Sequence, residues 1–539
     1  MTRPFISLAS YTQANPSSTA YTRFSNAADQ AVAGNPPYAY SAVSSVTMYR
    51  ITGYPVYIDN AIARVEAFVT EAEEAIAVGG RPAIASDSYL EIGWYLEQMA
   101  LAYDDGFNRL TAAQRERWAA FAEQSLFNLW HPSEAMWGGV AQPWSGWSIC
   151  DPVNNYHFHF LRATMVWALA TQSTALLEFL QTEKFPPLID YYAQLPGGGS
   201  REGTGYGTAQ KDPFENFLVW KDSTGEDLSA LTVHTRQTID YWVHATVPTQ
   251  DRFAPIGDQA RVSIPDLFDY QENLVHTAVA LNPGTPEAQR GTWWLNNNSV
   301  NGVSAAFNLL GDLLPLPDAP IVPVERVYHA TGAGVLFARS SWNTDASWVS
   351  FMAGKYDQSH AHQDQGAFTF FKGDWLAVTA NIWSHSGINQ ETEFQNTVRF
   401  KRADGTVIAQ NQDDTLQSSM TYTTTGGQVS VTADLRNAFS GNADFVQQWT
   451  RNLEYIRDTL RVLDTWTVAS GVRPVFQLHV PVLPVAQADG SLLAGNLRIV
   501  RLQGATFTIN AMPSGFNQGY RIDFTSTAGN SFAIELRGQ

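Results

Sequence analysis

The sequence predicts an α+β multidomain protein, with a helical N-terminal domain over residues 1–315 and an antiparallel β domain over 325–539. Three observations lead there. At 539 residues the chain exceeds one ordinary core, and 44% hydrophobic residues suffice to fill more than one. Helical periodicity dominates before residue 315, and short alternating runs dominate after it. The change falls at a proline-rich connector, 313–324, where proline stops helices and favours extended backbone.

In the first part, Tyr89–Tyr103 places apolar residues three and four apart, as one buried helical face would. Ala112–Leu129, Asn155–Thr171, Leu228–Ala245 and Pro265–Leu281 read the same way. Breakers separate them: Gly79-Gly80, Pro132, Pro186-Pro187, Gly197-Gly198-Gly199 and Pro283-Gly284. Helices of similar length over so long a stretch suggest stacked helical hairpins, closed as a toroid or open as a solenoid.

In the second part, Gly334–Arg339, Ser347–Met352, Ala367–Phe371 and Trp375–Val378 fit strands. Gln428–Thr432, Leu460–Asp464 and Val475–His479 do too. Turn residues such as Lys372-Gly373-Asp374 lie between them, so the expected architecture is an antiparallel β-sandwich.

Composition excludes some functions. A net charge of -18 argues against a nucleic-acid binder, while a local basic patch would still accept an anionic substrate. Cys150 is the single cysteine, so no intramolecular disulfide forms. No segment reaches 18 uninterrupted apolar residues and no signal-peptide stretch opens the chain. The expectation is a protein off the membrane, cytoplasmic, or secreted or periplasmic if a leader has been removed. With 17 Trp, 21 Tyr and 29 Phe, rings that stack on sugar faces are plentiful, although large cores use aromatics as well.

Four constellations carry polar chemistry. His360-Ala-His362-Gln-Asp364 precedes an expected strand, and residues two apart in extended backbone share a face. This suits a metal site or a proton-transfer site. Asn154-Asn155-Tyr156-His157-Phe158-His159 opens an expected helix, where either asparagine serves as cap or as donor to a substrate carboxylate. Arg201-Glu-Gly-Thr-Gly-Tyr206-Gly207 makes a tight, accessible turn around one tyrosine. Pro255-Ile-Gly-Asp258 reads as a turn and cap.

Together these residues resemble the heparinase II/III-like polysaccharide lyases and their alginate-lyase relatives. The most specific part runs from Gly332–Arg339 through Trp348–Gly354 and His360-x-His362-x-Asp364-x-Gly366-x-Phe368 to Gly373-x-Trp375-Leu376. The Tyr89–Asp104 helix, the Asn-Asn segment, the Glu202–Tyr206 loop and the Ile256-Gly-Asp turn fall in family order upstream. The resemblance covers roughly residues 85–480. It implies an incomplete (α/α) toroid joined to the β-sandwich, with the active site in the cleft between them.

By that resemblance, Tyr206 is the catalytic tyrosine, and Asn155, or Asn154, the amide that holds the substrate carboxylate. His157 and His360 are the histidines of the helical and β domains, with one extra residue between Asn155 and His157. His159, Arg201, Lys211, Arg236, His362 and Trp147 complete the substrate-binding candidates. Many relatives bind zinc through the second histidine of the pair, an aspartate and a later histidine. Here His362 is present, but Thr379 and Gln395 stand at the other two positions. No metal or other cofactor is expected, with His362 and Asp364 as weak candidates for an ion.

The implied chemistry is β-elimination from an acidic, uronate-containing polysaccharide, alginate or glycosaminoglycan-like. The C5 proton is weakly acidic beside an ionised carboxylate, so donors such as Asn155 and a histidine must offset the charge that builds there. Tyr206 suits the acid and base steps, with His157 or His360 sharing them. Rival readings are a glycoside hydrolase using two of Glu91, Glu202 and Asp258, a non-catalytic polysaccharide-binding protein, and a metal-dependent hydrolase at His360, His362 and Asp364.

Overall fold

The computed structural model describes residues 3–259, 264–300 and 309–539. Its N-terminal part is helical and its C-terminal part is built of antiparallel sheets. Between Leu313 and Val327 there is no helix or strand. Among the described residues, no helix is long and apolar enough to cross a membrane.

The helices start where local chemistry allows. Thr111 and Gln114 form a reciprocal capping box at the head of Ala112–Trp130. Asn154 caps Asn155–Thr171 by accepting the Tyr156 N–H at 2.9 Å. The helix expected over Leu228–Ala245 divides into a 3-10 turn, Leu228–Leu231, and a helix, His234–Ala245. The Thr232 hydroxyl accepts the His234 N–H at 3.2 Å and so competes with helical bonding there. The helix expected from Pro265 starts at Asp269, because the Pro265 carbonyl is taken by the Phe253 N–H at 3.0 Å.

The first sheet is a five-stranded meander: Val327–Ala330, Val335–Arg339, Ser347–Met352, Phe368–Lys372 and Asp374–Ala377. One face packs on the helices. Phe337, Trp348, Phe371 and Trp375 share a continuous core with Tyr241, Trp242 and Val243. Arg339 reaches across, donating to the carbonyls of His244 at 3.1 Å and Thr246 at 2.7 Å. A buried guanidinium there satisfies the carbonyls at the C-terminus of His234–Ala245, where the helix dipole favours a cation.

A four-stranded and an eight-stranded sheet follow, sharing a second core with the outer face of the meander. Phe351, Phe368, Phe476, Trp449 and Val462 meet there. Strand Val446–Ile456 alternates buried and more exposed positions, the period a one-sided core imposes. The strand expected at Leu460–Asp464 lengthens to Thr459–Val468, and Val475–His479 to Arg473–Val480.

The segment His360–Asp364 corrects the expectation of extended backbone. It is a loop with a turn at Ser359-His360. Just beyond it, the fully buried Arg451–Asp464 ion pair (2.8 Å) anchors the loop through an Arg451 bond to the Gly366 carbonyl.

Candidate active site

Two loops of the helical part meet without side chains between them. Gly203 and Gly257 have φ of +93° and +71°, and a Cβ on either would collide with the backbone opposite. A Cβ on Gly205 would strike the Asp258 carbonyl. Only glycine lets these backbones touch. The Thr204 N–H then reaches the Ile256 carbonyl at 2.9 Å, and the Tyr206 N–H the Asp258 carbonyl at 3.1 Å. Tyr206 and Asp258 are thereby fixed side by side.

The β part supplies the histidines. The Asp258 N–H donates to the His360 carbonyl at 2.9 Å, locking the two parts together at the site. His360 Nδ1 lies 3.0 Å from one Asp258 carboxylate oxygen and His362 Nε2 2.8 Å from the other. Gln390 donates its amide to the same carboxylate at 3.1 Å. Burial would raise the Asp258 carboxyl, but the bonds from His360 and His362 outweigh it and hold it below the usual carboxylate range.

The His360 ring lies flat against Tyr206, with centroids 3.6 Å apart and planes 10° from parallel. Burial lowers the His360 pKa, but the Asp258 bond and the Glu202 carboxylate raise it more, so the imidazolium persists to higher pH than usual. With Nδ1 committed to Asp258, Nε2 is the free nitrogen of a ring that is 29% exposed.

In the sequence Asp258 reads as a turn and cap, or as one carboxylate of a hydrolase pair. It is instead the acceptor for both histidines and the backbone partner of Tyr206. The signal was the Gly-Asp pair, ordinary in a turn and legible only once its partners are known. In the sequence Glu202 reads only as a hydrolase carboxylate. It is buried beside His360. Burial pushes its carboxyl up to about 7, against the pull of His360 and with repulsion from Asp151 and Asp258.

On the helix Asn155–Thr171, Asn154 is spent as the cap, while the Asn155 side chain makes no hydrogen bond among the described residues. Tyr156 lies within electrostatic reach of Tyr206 and donates its hydroxyl to Asp87 at 3.1 Å. Trp147, 55% exposed, packs edge-on against Tyr156.

His157 is a correction. Its Nδ1 sits 3.0 Å from the Ser148 carbonyl, its ring packs against Trp130 and Phe160, and burial pushes its pKa down to about 4. A helix turns 100° per residue, so the position next to Tyr156 faces the core. His159, also pushed down to about 4 by burial, lies 3.8 Å from Asp212.

The cations are committed too. Arg201 binds Asp357 at 3.0 Å and the Gly332 carbonyl at 3.1 Å, tying the two parts together. Lys211 pairs with Asp212 at 2.9 Å. Arg236 pairs at 3.6 Å with Glu287 of the helix Pro286–Asn297.

The zinc implied by the resemblance does not fit these residues. The Thr379 hydroxyl donates to the Phe394 carbonyl at 3.0 Å, and Gln395 turns its amide N–H toward His362 Nδ1 at 3.1 Å. Both His362 nitrogens are thus occupied. Asp364 faces a small buried cavity with Thr379 and Gln395, its carboxyl pushed up to about 6 by burial. Among the described residues, no three His, Cys, Asp or Glu side chains gather as a metal site.

No protein-family model matches the chain, and no curated protein matches it by sequence. Solved structures do match in fold. A heparinase III structure agrees at a TM-score of 0.63 and 12% identity, over 100% of this chain and 88% of that one. The heparan sulfate lyase HepC from Pedobacter heparinus agrees at 0.60 and 13%, over 98% and 85%. A Streptomyces coelicolor A3 chondroitin AC lyase, solved with chondroitin sulphate, agrees at 0.54 and 12%, over 97% and 80%. The fold is that of heparinase-like polysaccharide lyases, a helical N-terminal part followed by antiparallel sheets.

Proposed function

We propose that the protein is a polysaccharide lyase that cleaves an acidic, uronate-containing polysaccharide, alginate or glycosaminoglycan-like, by β-elimination. We take the helices as an incomplete (α/α) toroid over 1–315 and the sheets as a β-sandwich over 325–539, with 313–324 between them. The observation that carries the function is the Tyr206 ring stacked on His360, which Asp258 holds through Nδ1. The fold shared with heparan sulfate and chondroitin lyases supports the same reading.

In this scheme the C5 proton leaves to a base, its electron pair forms the C4–C5 double bond, and the C4–O bond breaks. Tyr206 takes the proton and returns one to the leaving oxygen, with His360 beside it. The free Asn155 amide and the His360 Nε2–H, in the imidazolium form, offset charge on the uronate carboxylate. The product carries a 4,5-unsaturated uronate end.

A hydrolase needs two available carboxylates. The Asp258 carboxylate already accepts from His360, His362 and Gln390, which disfavours it as acid or base. The test is a panel of uronate polysaccharides followed by ultraviolet absorbance of the unsaturated product, with and without EDTA. A rise that persists in EDTA and disappears in Tyr206→Phe supports the lyase. New reducing ends without absorbance overturn it.

A further inference from the structure

We propose that Gln395 is a positioning residue for His360, acting through His362 and Asp258 by fixing which nitrogen of His362 carries the proton. The proton placement stands independently of the lyase reading, while its effect on turnover rests on that reading.

His362 is 2% exposed, so protein groups alone decide its hydrogen bonding. At Nδ1 it meets two amide nitrogens, Gln395 Nε2 at 3.1 Å and Asn381 Nδ2 at 3.4 Å. The Asn381 amide has a fixed orientation. Its Oδ1 accepts the Asn389 N–H at 3.0 Å, and its Nδ2 donates to the Asn389 carbonyl at 2.6 Å. That nitrogen keeps a second N–H for His362, but Gln395 is the nearer donor to Nδ1. The backbone that carries Gln395 is held, because its main-chain carbonyl accepts the Gln477 amide at 2.8 Å.

An amide N–H can only donate, so His362 Nδ1 must accept. The proton then sits on Nε2, 2.8 Å from Asp258 Oδ1. Asp258 stays an acceptor, and its other oxygen takes the Nδ1–H of His360. That leaves His360 Nε2 as the uncommitted nitrogen of a ring that is 29% exposed. The chain Gln395, His362, Asp258, His360 begins on a neutral amide at a position where the resemblance implies a metal ligand. An outer partner that sets an imidazole tautomer governs the group in front of it.

The test uses the full chain with ¹⁵N-labelled histidine. The His362 imidazole is assigned by its loss in His362→Asn, and kcat and KM are measured on a cleaved uronate polymer. In the wild-type protein His362 is expected neutral, with its proton on Nε2. Gln395→Glu presents only acceptors, so Nδ1 should gain a proton. kcat should then fall about tenfold or more, the scale of a mis-set imidazole, with KM little changed. Gln395→Met, similar in shape but without a donor, leaves Asp258 and Asn381 still favouring the Nε2 proton, so its turnover should fall less than that of Gln395→Glu. The wild-type spectrum reads the tautomer in the unaltered protein, a variant serving only for the assignment. Finding Nδ1 protonated there overturns the proposal, as does Gln395→Glu moving the proton with kcat unaltered. If no uronate polymer is cleaved, the lyase reading falls while the tautomer result still decides the proton placement.

Discussion

Tyr206 and His360 meet ring to ring at 3.6 Å, although 153 intervening residues separate them and they belong to opposite parts of the chain. Asp258 holds both, Tyr206 through its backbone carbonyl and His360 through its carboxylate. The candidate site therefore exists only when the helices and the first sheet are docked.

Tyr206→Phe keeps the ring and its stack and removes only the hydroxyl. The expected loss in kcat is about 10²–10⁴-fold, the usual weight of general acid–base catalysis. Thermal unfolding should change little, which separates a chemical role from a structural one.

Asp258→Asn replaces an all-acceptor group with one that also donates. At least one of His360, His362 and Gln390 would then face another N–H. The expectation is a loss of about 10²-fold or more in kcat, with about 1–3 kcal/mol of stability lost in denaturant titration.

Asn154 and Asn155 should separate cleanly. Asn154→Ala removes a helix cap and should cost about 1 kcal/mol of stability with activity retained. Asn155→Ala should leave stability unchanged and lower kcat by about 10²–10³-fold, as loss of a preorganised donor does.

His157→Asn tests the correction. Asparagine can still donate to the Ser148 carbonyl, so turnover should stay within about threefold of wild type. Lost packing against Trp130 and Phe160 should lower stability by about 1–3 kcal/mol. A large loss of kcat in a well-folded variant would return His157 to the site.

Glu202 links stability to pH. Burial pushes its carboxyl in the folded protein up to about 7, above the ordinary 4.5. A raised carboxyl favours the folded state while protonated, so its contribution is full below about 4.5 and is lost as pH rises to about 7. Glu202→Gln mimics the protonated form. The variant should melt at a higher temperature than wild type at pH 8 and at a similar one at pH 4.5.

Much of this was legible in one dimension. The helix Asn155–Thr171 and the strand Ser347–Met352 fall where periodicity put them, because burial on one face imposes its period on the sequence. The tyrosine between glycines and the close pair of histidines stood out as candidates. Asp258 did not, since a Gly-Asp pair is an ordinary turn until His360 and His362 are folded against it. His157 misled because an asparagine-rich helix start gives no reading of which side chain faces inward. Arg201 looked available to substrate, but a buried Asp357 claims it.

The helical and β parts, the residue types able to move a proton, and the departure at Thr379 and Gln395 from a zinc site are all readable in one dimension. Those follow from local period and side-chain chemistry. That Asp258 joins Tyr206 to His360, that His157 is buried, and that Gln395 donates to His362 emerge only on folding. Each depends on contacts between segments far apart in the chain, where packing and the pairing of buried polar groups, not sequence spacing, choose the partners.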